Sequence, residues 1–338
     1  MSKRVKIPRY VLAGCGSITI LVIAGILVLY LMVFSGPGAM EISEFHPFRS
    51  EKAQEKYLTL YDARAKDWPV ASETRSVETS YGSTFVRVSG PADGPPLVLF
   101  HGAGGNSLQW IPNIEALSQT YKVYAIDNIY DHGRSIYTSP MESPEDFVLW
   151  LDEVFTKLEL ENDIRLVGLS YGGWLTSQYA LHFPERLKKI VLLAPAGTVL
   201  PISSEWIGRA ILSFLPHRYF TKSFMFWLLE DSVNHDEASR NMIEEWIDEG
   251  YLATRTFKPT SLVNPHVLSN TELLHIRTPT LFLVGENEKI YSAQQAVMRL
   301  NTVAPNIETA IISDAGHDLT LVKADVVTDR ILAFLAKP

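Results

Sequence analysis

The sequence predicts an α/β fold in which a doubly wound, mostly parallel sheet carries an inserted helical cap and follows one N-terminal transmembrane helix. Three observations support this prediction. Apolar runs typical of buried strands alternate with helical patterns over residues 76–336, the alternation stops at about residues 197–277, and residues 10–34 carry no charge. Strands that alternate with helices favour parallel pairing with right-handed crossovers.

The overall composition is that of a globular protein with an added apolar segment. Of the 338 residues, 46% are hydrophobic and 20% are charged, which fits one large domain with an insertion. The net charge of −8 argues against nucleic acid as a partner. Cys15 is the single cysteine, so neither an internal disulfide nor a cysteine-based metal site can form.

The N-terminal part of the chain is predicted to be a membrane anchor. Residues 10–34 are rich in Ile, Leu and Val and, as a helix rising about 1.5 Å per residue, are long enough to cross a hydrocarbon core of about 30 Å. The charges before this run are basic and the first charges after it are acidic: Lys3, Arg4, Lys6 and Arg9, then Glu41 and Glu44. The positive-inside bias predicts a cytoplasmic tail at residues 1–9, one pass through the cell membrane, and an extracytoplasmic domain.

Two other interpretations of this run compete with the anchor. A cleaved signal peptide has a shorter apolar core and a small-residue cleavage site, and Pro37 makes residues 35–39 a poor one. Residues 12–15 look like a lipoprotein box, but the apolar run follows Cys15 when it should precede it. The retained anchor is therefore preferred, with cleavage as the alternative.

Residues 35–75 are predicted to connect the membrane helix to the folded domain, which begins near Ser76. Within this connector, residues 51–66 are typical of a surface helix, and its stripe of aromatic and leucine side chains is predicted to pack on the domain. Seven strands follow, and they are predicted at residues 84–89, 96–100, 123–127, 163–169, 189–194, 280–285 and 307–313. Most are continuous apolar runs, as expected for strands covered on both faces.

One strand ends in the sequence Gly168-Leu-Ser170-Tyr171-Gly172, and a helix over residues 171–183 follows it. This arrangement is a nucleophile elbow, in which a sharp turn exposes the serine hydroxyl above the sheet edge. The glycines two positions either side of the serine leave room for the strained turn. Because the helix begins at Ser170, its free N–H groups face negative charge that develops there.

A glycine-rich turn, residues 101–106, directly follows the strand over residues 96–100. Such a turn can point backbone N–H groups into the cleft above the sheet, so it is predicted to form half of an oxyanion hole. The expected donors are the N–H of Ala103, with Gly104 as the alternative, and the N–H of Tyr171. His101 is expected to support this loop by hydrogen bonding rather than to act as a base.

The next strand leads into a polar loop at residues 130–135. Asp127 and Ser135 are predicted to brace this loop. Asp131 and His132 are placed on a surface turn, and none of the four is assigned a catalytic role.

A serine hydroxyl is a weak nucleophile near neutral pH, so it needs a histidine to take its proton and a carboxylate to orient that histidine. His317 follows the last predicted strand, and the chain order serine, acid, histidine is the order that this architecture demands. The acid should lie on the turn after the preceding strand, where Glu288 is preferred and Glu286 is the alternative. The remaining histidines show no metal-ligand spacing, so neither a metal nor a cofactor is expected.

The predicted cap is rich in aromatic residues at helical spacing. Such stripes are more often the core of a cap than contacts to substrate, so no binding residue is assigned from them. An apolar cap over a serine nevertheless favours an apolar ester as the small-molecule substrate.

Together, five stretches resemble the α/β-hydrolase superfamily, in particular its serine esterase and lipase-like members with a helical cap: His101-Gly102, Trp110, and residues 168–173, 285–288 and 315–317. The resemblance covers about residues 76–336. It implies Ser170 as nucleophile, His317 as base and a carboxylate at Glu288, without a cofactor. Glutamate stands where aspartate is usual for the acid. Members that open epoxides or cleave carbon–halogen bonds carry aspartate at the elbow, so Ser170 argues against both activities.

The sequence therefore predicts a membrane-anchored serine hydrolase that cleaves carboxylic esters through an acyl-enzyme intermediate. Hydrolysis of an amide or of a carbon–carbon bond is the alternative within enzymes, because the same triad can perform it. A tethered ligand receptor without turnover is the alternative outside enzymes.

Overall fold

The computed structural model describes residues 42–260 and 262–338. The predicted transmembrane helix at residues 10–34 lies outside these residues. Among the helices that are described, none combines the length and the apolar character needed to cross a bilayer.

The sheet contains nine strands in the described residues. In chain order they are β1 (Ser72–Thr79), β2 (Gly82–Ser89), β3 (Pro96–Phe100), β4 (Lys122–Ile126), β5 (Ile136–Tyr137), β6 (Ile164–Leu169), β7 (Leu187–Leu193), β8 (Thr280–Gly285) and β9 (Glu308–Ile312). Their order across the sheet is β1-β2-β4-β3-β6-β7-β8-β9, and β5 pairs with β2. Pairing is parallel from β4 to β9 and antiparallel at β1, β2 and β5, so the predicted mostly parallel sheet is confirmed.

The helices within the described residues connect and cover these strands. They are α1 (Glu51–Arg64), α2 (Ile111–Ser118), α3 (Pro144–Lys157), α4 (Tyr171–His182), α5 (Ser204–Ser213), α6 (Arg218–Leu228), α7 (Glu230–His235), α8 (Glu237–Thr256), α9 (Asn270–His275), α10 (Ala293–Val303), α11 (Leu319–Val322) and α12 (Ala324–Ala336). Short 3₁₀ turns lie at Ala65–Asp67, Ser107–Trp110 and Pro184–Arg186. Helices α5 to α9 fall between β7 and β8, where the cap was predicted.

The core lies on both faces of the sheet. Along β3, Leu97 and Leu99 belong to one apolar cluster, whereas Val98 and Phe100 belong to the cluster on the opposite face. Successive side chains of a strand point to opposite faces, so a continuous apolar run is what a strand covered on both sides requires. The central strands are thereby buried on both faces, and the loops that carry Ser170, Glu288 and His317 follow the carboxyl ends of β6, β8 and β9.

The first strand was not predicted. The folded domain was expected to begin near Ser76, but β1 starts at Ser72 and pairs with β2 along its whole length, from Ser72 opposite Ser89 to Thr79 opposite Gly82. β1 is an edge strand of mostly polar residues and only Val77 in it is buried. A strand with so little buried surface has no apolar alternation to reveal it.

Helix α1 belongs to the folded body and is more than a connector. Its Tyr57 and Tyr61 are buried, and it packs against the long cap helix α8. The chain just before it is bound to the end of α8, because Phe48 forms a β-bridge with Phe257 and the Arg49 N–H donates to the carbonyl of Thr256 at 2.8 Å. The segment that leads toward the N-terminus is therefore attached to the cap.

Candidate active site

The turn between β6 and α4 holds Ser170 in a strained backbone conformation. Its φ of 54° and ψ of −116° are rarely adopted by a residue other than glycine. A Cβ on Gly168 would lie 2.2 Å from the carbonyl oxygen of Gly172, and a Cβ on Gly172 would lie 2.6 Å from the carbonyl oxygens of Phe100 and His101. Both flanking glycines are thus required by close packing, as the motif predicts.

The second glycine-rich turn lies directly against Ser170. A Cβ on Gly102 would be 3.3 Å from the Cβ of Ser170. The Gly102 N–H donates to Oε1 of Gln109 at 2.9 Å, and the Gly105 N–H donates to the Gly102 carbonyl at 3.2 Å. The turn is therefore held in one shape beside the serine.

The geometry separates the two predicted donors of this turn. Both carboxylate oxygens of Asp131 accept from the Gly104 N–H, at 2.8 and 3.0 Å. In the described residues no hydrogen bond uses the Ala103 N–H. The Tyr171 N–H is the first of α4, and helix geometry gives it no intrahelical acceptor. The N–H groups of Ala103 and Tyr171 therefore remain available to a ligand, whereas that of Gly104 is occupied.

Asp131 was predicted on a surface turn, and this was wrong for its side chain, which is 5% exposed. It reaches across to the glycine-rich turn, and its neighbour His132 contacts the Gly104 carbonyl at 3.2 Å. Asp127 braces the loop as expected, since its carboxylate accepts from the N–H groups of Ser107 and Arg134.

His101 supports the turn rather than facing the serine. Its Nε2 accepts from the Asn128 N–H at 2.9 Å, so Nδ1 carries the proton and donates to the Gly102 carbonyl at 2.8 Å. Both ring nitrogens are occupied, and the side chain is buried. This agrees with the expected structural role.

His317 lies after β9 and is hydrogen-bonded to the acid preferred from the sequence. Its Nδ1 is 2.9 Å from Oε2 of Glu288, and the Glu288 side chain is fully covered. The other carboxylate oxygen of Glu288 accepts from the Ile290 N–H at 2.8 Å. Glu286, the alternative acid, is exposed. Because a carboxylate only accepts hydrogen bonds, Nδ1 carries the proton and Nε2 is left as a free base.

The pKa of His317 is raised above its ordinary value of 6.5. Burial alone would lower this pKa, but the charge of Glu288 and the hydrogen bond to it raise the pKa more, and Asp318 adds to the rise. The Glu288 carboxylate therefore stabilises an imidazolium at this position.

Asp318 binds the loop that carries His317, here called the histidine loop, to the cap. The sequence did not reveal this contact. Its two oxygens accept from the N–H groups of Gly316, at 3.1 Å, and Ser232, at 2.6 Å. Ser232 lies on α7. The neighbouring Asp231 accepts from Nδ2 of Asn287, which lies beside Glu288. Both loops that carry the acid and the histidine are thus bound to the same cap helix.

A cavity of about 110 Å³ lies between the sheet edge and the cap, and Ser170, His317 and Ala103 line its floor. Its roof comes from the cap and is mostly apolar: Trp206, Phe224, Met225, Leu228, Leu229 and Trp246. The cap aromatics were expected to be core; Trp206, Phe224 and Trp246 do pack against the core and, in addition, line this cavity. Helical spacing reveals that a face is apolar, but not which neighbour covers it.

A wider groove of about 500 Å³ lies at the edge of the sheet, beside β1 and the end of α3. Arg75, Glu78 and Lys157 are among its lining residues, and it contains no histidine. It offers neither a hydroxyl nucleophile paired with a histidine nor an apolar enclosure, so the smaller cavity is the candidate site. In the described residues no cluster of His, Cys, Asp and Glu is suited to hold a metal ion.

Comparison with known proteins agrees with this architecture. Residues 95–324 match the family model described as alpha/beta hydrolase fold. The chain is 34% identical over 297 residues to carboxylesterase YbfK of Bacillus subtilis. The match covers 87% of this chain and 98% of that relative. Two crystal structures from the same organism also match. Naproxen esterase (carboxylesterase NP) has a TM-score of 0.78 at 31% identity, covering 87% of this chain and 99% of that one. Carboxylesterase CesB (YbfK) has a TM-score of 0.77 at 33% identity, covering 84% and 99%.

The predicted superfamily is thereby confirmed. The family model spans more than half of the sequence, and the relatives match over nearly their whole length. The chain belongs to the α/β-hydrolase family.

Proposed function

We propose that this protein is a membrane-anchored serine hydrolase that cleaves carboxylic esters through an acyl-enzyme intermediate. The single observation that carries the chemistry is the hydrogen bond of 2.9 Å between His317 and Glu288, at a cavity that His317 and Ser170 both line. The names of the relatives, carboxylesterase and naproxen esterase, support an ester as the substrate.

In this mechanism the Oγ of Ser170 attacks the ester carbonyl while Nε2 of His317 takes the serine proton. The carbonyl oxygen becomes an oxyanion, and the free N–H groups of Ala103 and Tyr171 are the donors available to stabilise it. The imidazolium then gives its proton to the leaving alkoxide, which departs as the alcohol.

Deacylation repeats these steps with water as the nucleophile. His317 takes a proton from the water that attacks the acyl-enzyme, and then returns a proton to Ser170 as the carboxylic acid leaves. Glu288 keeps the imidazole in the tautomer with a proton on Nδ1 and stabilises the imidazolium in both halves. The apolar roof favours an apolar acyl or aromatic group in the cavity.

Anchoring is proposed from the sequence. Residues 10–34 would place the N-terminus in the cytoplasm and the hydrolase domain outside the cell membrane. The test is whether the full-length protein fractionates with membranes, resists extraction at high pH, and keeps its N-terminus.

The chemistry is tested with the full-length protein in detergent on p-nitrophenyl esters of increasing acyl length. Ser170→Ala should abolish hydrolysis and fluorophosphonate labelling, whereas Ser223→Ala, an exposed serine of the cap, should leave both unchanged. Folded protein that leaves every ester intact but is labelled by the fluorophosphonate would redirect the assignment to amide or carbon–carbon hydrolysis. Absence of both reactions would favour a receptor.

A further inference from the structure

Helix α5 presents an apolar face to solvent. Ile207, Leu212 and Phe214 are 39%, 45% and 42% exposed. At about 100° per residue these three side chains and Ile211 fall on one half of the helix surface, while Trp206 lies on the other half. On the neighbouring helix α6, Tyr219 is 63% exposed.

Almost no charge interrupts this face. Glu205 is the single acidic residue of α5, and it is ion-paired with Arg209 one turn later at 2.9 Å. Arg209 in turn lies over the ring of Trp227 on α6, 4.7 Å from its centroid. The two charges of α5 thus neutralise each other at the edge of this face, where the Glu205 and Arg209 side chains are 60% and 38% exposed.

The opposite side of the same helices lines the candidate site. Trp206 on α5 and Phe224 on α6 have ring centroids 5.8 Å apart and border the cavity above Ser170. One helical layer therefore separates the cavity from the exposed apolar face.

The chain that comes from the predicted membrane helix reaches this same end of the cap. Lys258 donates through its backbone N–H to the Pro47 carbonyl at 2.9 Å and through Nζ to Oγ of Ser43 at 3.3 Å. Arg255, one turn earlier, donates to the carbonyl of Leu215 at 3.1 Å. Leu215 lies in the turn between α5 and α6, so the end of α8 holds both this turn and the chain at Ser43 and Pro47.

The N-terminal tether, residues 35–43, is short. These residues can span about 30 Å when fully extended. A folded body of about 300 residues has a radius of gyration of about 19 Å, and hence a width of about 50 Å. Because the tether is short, Ser43 stays within about 30 Å of the membrane surface if residues 10–34 span the membrane. The turn between α5 and α6 is connected to this point through Lys258 and Arg255 at the end of α8.

We propose that the apolar face formed by Ile207, Ile211, Leu212, Phe214 and Tyr219 docks on the lipid bilayer. Aromatic and aliphatic side chains on one face of a helix insert at the boundary between headgroups and acyl chains. The cavity on the other side of α5 then receives esters that partition into the membrane. This inference rests on the proposed anchor and, for its substrate, on the proposed esterase activity.

Lipid contact is tested by fluorescence, which requires no turnover. Full-length protein with Cys15→Ser receives one cysteine, Leu212→Cys or Phe214→Cys, labelled with an environment-sensitive dye in phosphatidylcholine nanodiscs. Met298→Cys on α10, also exposed, is the matched control. Doxyl-labelled phosphatidylcholine should quench the two cap labels at least threefold more than the control label, and aqueous iodide should do the reverse. Repeating the measurement with Ser170→Ala separates lipid contact from catalysis.

Two results would overturn the docking. Equal quenching of cap and control labels by doxyl lipid would mean that the face stays in water. Cap labels shielded from iodide yet unaffected by doxyl lipid would mean that protein, such as a second copy of the chain, covers the face.

The substrate route is tested with a variant that carries Ile207→Ser, Leu212→Ser and Phe214→Ser. We expect at least a fivefold lower rate on a long-chain ester dissolved in the nanodisc, with an unchanged kcat/KM for p-nitrophenyl acetate in water. If the variant hydrolyses both substrates as fast as the unchanged protein does, delivery through this face is refuted. If the unchanged protein hydrolyses neither ester, the proposed activity fails while the quenching result stands.

Discussion

Replacing Glu249 by leucine should lower the free energy of unfolding by about 3 kcal/mol. The side chains of Arg64 on α1 and Glu249 on α8 form an ion pair and are only 11% and 10% exposed. The Glu249 carboxylate also accepts from Nδ2 of Asn106 at 2.5 Å and from the Tyr57 hydroxyl at 3.3 Å. Removing one partner of a buried pair leaves an uncompensated charge, which costs about 3–5 kcal/mol, and the slight exposure favours the lower end.

The measurement is urea unfolding of the full-length protein in detergent, followed by tryptophan fluorescence. All seven tryptophans lie within the described residues, so the signal reports the folded body. Glu249→Leu, Arg64→Leu and the double variant form a cycle, in which the double variant should lose about 2 kcal/mol less than the sum of the single losses. The exposed pair Lys337 and Glu308 is the control, and Glu308→Leu should change stability by at most about 0.5 kcal/mol.

Two outcomes would refute the reasoning. Equal losses for Glu249→Leu and Glu308→Leu would show that burial of the pair has no energetic consequence. Strictly additive losses for the two buried substitutions would show that Arg64 and Glu249 do not stabilise each other, and that α1 is held to the cap by apolar packing alone.

Two further predictions concern the site. Catalysis needs neutral His317, so kcat/KM should fall as the pH drops through the raised pKa of this residue. Glu288→Gln removes the charge that raises this pKa, so it should move the acid limb of the pH profile to lower pH. The same variant should reduce kcat by about 10³–10⁴-fold. Glu286→Gln, measured the same way in a pH-stat, should change neither quantity, and a shift in both variants would contradict the assignment of the acid. Gly172→Ala should destabilise the protein by about 1–3 kcal/mol because of its close backbone contacts, whereas Gly208→Ala, whose Cβ meets nothing within 4 Å, should not destabilise it.

Much of the sheet could be predicted because its central strands are buried on both faces. A continuous apolar run such as β8 is visible locally, and its predicted limits, Thr280–Gly285, agree with the structure. β1 escaped prediction because an exposed edge strand needs no apolar pattern. Helix α1 was predicted from the sequence, but its packing against α8 was not, because α8 lies far along the chain.

The same distinction applies to the site. Ser170, Glu288 and His317 each follow a recognisable strand, so position along the chain was sufficient to select them. Asp131 and Glu249 act through contacts to groups that are distant in the sequence, and their local sequence resembles that of any polar loop or helix surface. Only the folded chain shows that Asp131 occupies the N–H of Gly104 and leaves that of Ala103 free.

The attachment of α1 to α8 also decides where a force on the N-terminal chain would act. The C-terminal half of α8 is fastened by the ion pair at Glu249 and by the bridge between Phe48 and Phe257, and α7 is fastened to the histidine loop through Asp318. The N-cap of α5 is bound to the loop after β8, because the N–H and Oγ of Ser203 donate to the carbonyls of Ile290, at 2.8 Å, and Lys289, at 3.2 Å. Helix α6 is joined to α8 by the ion pair between Arg218 and Glu244, at 2.8 Å. The N-terminal chain therefore meets the folded body at α8, so a pull on it would act first on this helix and not directly on the loops that carry Glu288 and His317.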